Sequence, residues 1–170
     1  MSSTDFVLLL GEEKIKAPYE FVTSCITFIS MFEDTGGMND SEPIPITDRF
    51  TVEEVSQYIK LYMDMYSLKV SNDSQVEMSY LDYIIDYREE YIKNYTNKNL
   101  DPPHCERLFE IYNEVGEDNL KKIIHIDGFF NNPRLRRGMM LLIAAFVRKG
   151  KEEKVDEIIG SIIEVVQNDN

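Results

Sequence analysis

The chain of 170 residues has no tryptophan, and only two cysteines and two histidines. Cys25 and Cys105 supply neither a disulfide framework nor a zinc pattern. With His104 and His125 they are the only nitrogen and sulfur ligands, and none pairs at zinc-finger or H-E-x-x-H spacing. No metal or other cofactor is therefore expected. Cys105 with a histidine has the ingredients of a nucleophile and base, but no Gly-x-Cys context or oxyanion-hole loop accompanies it. Long apolar runs are missing as well. The longest, Met139 to Val147, is half of the ~18 residues a membrane span needs. No basic stretch precedes the apolar residues at the N-terminus, so a secretory signal is not expected and an intracellular protein, cytoplasmic or nuclear, is. Gly36-Gly37 and Gly150-Lys151 lack the spacing and preceding strand of a phosphate loop.

Cations are scarce: 18 Lys and Arg stand against 31 Asp and Glu, a net charge of −13. Phosphate binding rests on clustered cations, so nucleic acid is excluded as the main ligand. The charge is unevenly placed. Residues 1–120 carry 9 basic and 24 acidic side chains, whereas residues 121–154 carry 9 basic against 3 acidic, and residues 155–170 return to −4. Opposed poles can orient a protein partner, although solvated helix faces give the same pattern. A hydrophobic share of 43% is enough for one packed core.

Phe6 to Leu10 is an apolar run too short for a helix, and Gly11-Glu12-Glu13 turns it back into the alternating strand Lys14 to Ala17. Pro18 to Phe21 reads as one helical turn. A helix from Ile26 to Thr35 follows, capped by Ser24 or Thr27 and stopped by Gly36-Gly37. After an acidic loop, Pro43-Ile44-Pro45-Ile46 is extended, and its prolines confine it to a sheet edge. Thr51 and Glu54 form a capping box for a helix to about Tyr66, with Val52, Val55, Ile59, Tyr62 and Tyr66 on one stripe. A polar linker, Lys69 to Glu77, leads to a helix in which Tyr80, Tyr83, Tyr87, Tyr91 and Tyr95 share a face. Further helices are expected over His104 to Val115, Leu120 to Ile126 with Gly128 as the stop, and Arg134 to Lys149. The third of these should turn Leu135, Met139, Leu142, Phe146 and Val147 to a core. Glu152 to Gln167 closes the chain with the stripe Val155, Ile158, Ile159, Ile162, Ile163 and Val166.

Met31-Phe32-Glu33-Asp34-Thr35-Gly36 and Pro43-Ile44-Pro45-Ile46 carry a resemblance, as do Phe129-Phe130-Asn131 and Gly150-Lys151-Glu152-Glu153. By these phrases the chain resembles the Skp/elongin C family, small BTB/POZ-fold adaptors of cullin-based ubiquitin ligases. Departures stand beside the likeness. The family's cullin-facing Asn-Tyr falls on Gly128-Phe129, the Thr-Pro after Gly-Lys is missing, and the F-box-gripping tail is not recognisable after Gly160.

The resemblance implies an α+β, BTB/POZ-like fold: a three-stranded sheet covered by helices. The halves would be residues 1–66 and 101–149, with a Tyr-rich insertion over 67–100 and a partner-binding helix over 150–170. It implies a non-enzymatic adaptor bridging a cullin-like scaffold and an F-box-like receptor. Ile44, Ile46, Phe129 and Phe130 would face the cullin, and at most one of the two phenylalanines should be exposed. Val147, Val155, Ile158, Ile159 and Ile162 would face the receptor, so that deleting 151–170 removes receptor binding while the core over Phe6 to Tyr66 still folds. Two rivals remain. One is a self-associating BTB/POZ protein without a ligase role; separately, the tyrosine face from Tyr80 to Tyr95 reads either as core packing or as a further partner surface. The other is a small enzyme using Asp82, Asp86, Glu89 and Glu90, which lacks any supporting motif.

Overall fold

Phe6–Leu10 (β1) and Glu13–Ala17 (β2) pair antiparallel, Leu10 opposite Glu13, across a two-residue turn. Gly11 starts that turn at φ 63°, a conformation that costs glycine nothing. The alternation sets the faces: Phe6, Leu8, Leu10, Ile15 and Ala17 are buried, while Lys14 and Lys16 are exposed. These strands belong to a computed structural model that describes residues 5–37, 42–46, 49–67 and 102–168. The tyrosine stripe from Tyr80 to Tyr95, the linker before it and Asp82, Asp86, Glu89 and Glu90 lie outside the described residues.

Two helices, Tyr19–Ser24 (α1) and Ile26–Thr35 (α2), cross back from β2 to Ile44–Ile46 (β3). β3 runs parallel to β1, with Leu8 opposite Ile44 and Leu10 opposite Ile46, in the order β2-β1-β3. Both proline-flanked residues therefore sit on an edge strand, where a missing N–H goes unneeded. The fold is α+β: this small mixed sheet and several helices.

Val52–Ser67 (α3) begins with the capping box read from the sequence. The Thr51 amide donates to Glu54 Oε1 at 2.9 Å, and the Glu54 amide to Thr51 Oγ1 at 3.1 Å. Pro102–Val115 (α4), Glu117–Phe130 (α5), Pro133–Arg148 (α6) and Glu152–Asn168 (α7) complete the described helices. α3 is the hub, touching α1, β2, α4, α5 and α6. Gly138 lets α6 approach it closely, since a Cβ there would lie 3.1 Å from Met65 Cγ and Sδ.

Four expectations are corrected. Gly128 does not stop α5, which runs through it to Phe130 and ends at Asn131 in the left-handed region, φ 55°. The packing of α5 against α3 and α7 outweighs the roughly 1 kcal/mol that a helical glycine costs. α6 has no single apolar stripe. Leu135 and the run from Met139 to Ile143 are buried, as are Ala145 and Phe146, because α3, α4 and α7 surround it. Val147, expected in the core, is 37% exposed at the end of that helix. Finally, neither Ser24 nor Thr27 caps α2. Its N-cap is Cys25, without a side-chain bond, and the Ile26 amide donates to the Asn131 carbonyl at 2.9 Å instead. An unpaired donor at the start of α2 thus meets an unpaired acceptor at the end of α5.

Candidate partner interface

The end of α5 is fixed by one buried carboxylate. Asp127 Oδ1 accepts from the Tyr58 hydroxyl at 2.6 Å and from the Asn132 amide at 3.0 Å. Its Oδ2 accepts from Arg136 Nη1 at 2.9 Å. Burial pushes the Asp127 carboxyl up, against the pull of Arg136, Tyr58 and the Asn132 amide. Asn132 continues the network. Its Oδ1 caps α6 by accepting from the Arg134 and Leu135 amides at 3.1 Å each, and its Nδ2 donates to Ser24 Oγ at 2.9 Å. Thr27 Oγ1 donates to the Phe129 carbonyl. One turn, Asp127 to Asn132, thereby ties α1, α2, α3, α5 and α6 together.

The consequence falls on the paired phenylalanines. Phe130 is fully buried, stacked on Tyr58 at 5.2 Å and edge-on to Phe21 at 5.7 Å. It is a core residue and offers no surface. Phe129 is half-buried, edge-on to Phe50 at 6.0 Å, and His125 is edge-on to Phe50 at 5.7 Å. Of the four residues assigned to the cullin side, Ile44 is also buried and Ile46 half-buried. The accessible part of that side is therefore Phe129 with His125 on α5, and Ile46 on the edge strand.

The five residues assigned to the receptor side divide. Val155, Ile158, Ile159 and Ile162 are buried where α7 packs on α5 and α6, so in this conformation no partner reaches them. They belong to the same core as β1 and α3 rather than to a separate appendage. Val147 alone of the five is exposed, and Ile163 of the same stripe is half-buried.

Both cysteines are buried. Burial holds the Cys25 thiol far above its ordinary range, with a 3.5 Å contact from Asn132 Nδ2 opposing it only in part. A thiol kept protonated is a poor nucleophile. Among the described residues no three His, Cys, Asp or Glu side chains gather as a metal site, and no helix is long and apolar enough to cross a membrane. Asp64 and Glu114 share a groove of about 160 Å³ with Lys60, which holds both at 3.3 Å and is itself kept protonated by them. These are surface ion pairs, and Asp64 is held by Arg107 at 3.6 Å as well.

Sequence reasoning missed Asp127, Asn132, Arg136, Tyr58 and Phe50. One signal was available: Asn132-Pro133 is a capping residue followed by the residue favoured at the first helical position. The Asp127–Arg136 pair carried none, because it closes across a turn and between two helices. Comparison with known proteins finds no matching family model, no matching curated protein and no matching solved structure.

Proposed function

We propose that the chain is a non-enzymatic adaptor of the BTB/POZ, Skp-like kind, bridging a cullin-like scaffold and an F-box-like receptor subunit. The observation that carries the reading is the divided Phe129–Phe130 pair. One ring is sunk in the core and the other is held half-buried at a hydrogen-bonded helix end, edge-on to Phe50. A rigidly presented aromatic on a partly desolvated site is the usual anchor of a protein interface. The sheet order β2-β1-β3, with a two-helix crossover and a parallel edge strand, supports the BTB/POZ part of the reading. On the receptor side, Val147 and Ile163 replace the buried stripe as the contact residues.

The test is calorimetric titration of the full chain with the N-terminal domain of a cullin. The reading expects a complex that Phe129→Ala and Ile46→Asp each weaken at least roughly tenfold, about 1.4 kcal/mol, with unchanged circular dichroism. No complex with any cullin N-terminal domain at about 100 µM, the scale of weak contacts, would sink it.

A further inference from the structure

We draw no further inference here: the strongest candidate, the outward edge of β2 with its exposed Lys14 and Lys16, is a strand edge unpartnered among the described residues, where Lys16 is already paired with Asp5 at 3.4 Å and Glu12 and Glu13 directly precede Lys14, so nothing in the structure shows what covers it.

Discussion

The Tyr58 hydroxyl donates to Asp127 across 2.6 Å, from the middle of α3 to the last turn of α5, 69 residues apart in the chain. With Arg136 on the other carboxylate oxygen, three helices meet at one buried charge pair. Removing the carboxylate takes its counter-charge from a buried guanidinium, Arg136. Asp127→Ala should therefore cost about 3–5 kcal/mol. Tyr58→Phe keeps the ring on Phe130 and loses only the hydroxyl, for about 1–2 kcal/mol. Urea unfolding measures both, and Asp127→Ala combined with Arg136→Met should regain most of the first loss. A double variant as unstable as Asp127→Ala alone would mean that the geometry of the turn, rather than the charge, matters.

Phe129 and Phe130 should separate cleanly. Phe130→Ala removes a ring packed on Phe21, Phe28 and Tyr58 and should cost about 3–5 kcal/mol. Phe129→Ala, half-buried, should cost about half of that at most and keep a cooperative transition. Equal losses in denaturant melts would show that Phe129 is as much a core residue as its neighbour and unfit as an anchor.

What could be read from the chain is what short-range chemistry decides. Thr51 with Glu54, Gly11 after an apolar run and Gly36 after Thr35 each satisfy or release backbone groups within a few residues. The hairpin, the end of α2 and the start of α3 follow from them. The misread cap of α2 and the misread end of α5 were set by distant partners. Ile26 finds its acceptor at Asn131, over a hundred residues away, and Asp127 carries α5 past Gly128. For α6 the composition itself was the clue: an apolar run from Met139 to Val147 is too apolar for one face, which places the helix inside. The candidate site was half legible. The Phe129-Phe130 phrase marked the place, but which ring faces out depends on the Asp127 network.

Deleting residues 151–170 should now abolish folding rather than spare it. Val155, Ile158, Ile159 and Ile162 are buried on α5 and α6. At about 1.5–3 kcal/mol each, their loss is on the order of 10 kcal/mol, comparable to the whole stability of a domain. The truncation would also bare the faces they cover. Ile158→Ala, a milder change, should cost about 2–5 kcal/mol. A truncated chain that melts cooperatively near the full-length temperature would show that α7 is an appendage after all.

Stability should fall in alkali, and two buried groups set the direction. Burial raises Cys25 far above its ordinary 9.0 and raises Tyr62 above its ordinary 10.0. In the folded chain both hold their protons at pH values where the unfolded chain releases them. The folded state then binds more protons, so unfolding becomes easier as pH rises. The contribution is fully present below about pH 8. It is lost from about pH 9 upward, first through the thiol and then through the phenol, whose hydroxyl donates to the Glu20 carbonyl at 3.2 Å. Urea midpoints between pH 7 and 10.5 should decline, and Cys25→Ala should flatten the first part of that decline. The same burial makes Cys25 inert: a thiol reagent should label it only at the rate of unfolding. Cys25→Ala with an undiminished slope between pH 8.5 and 9.5 would assign the alkaline loss elsewhere.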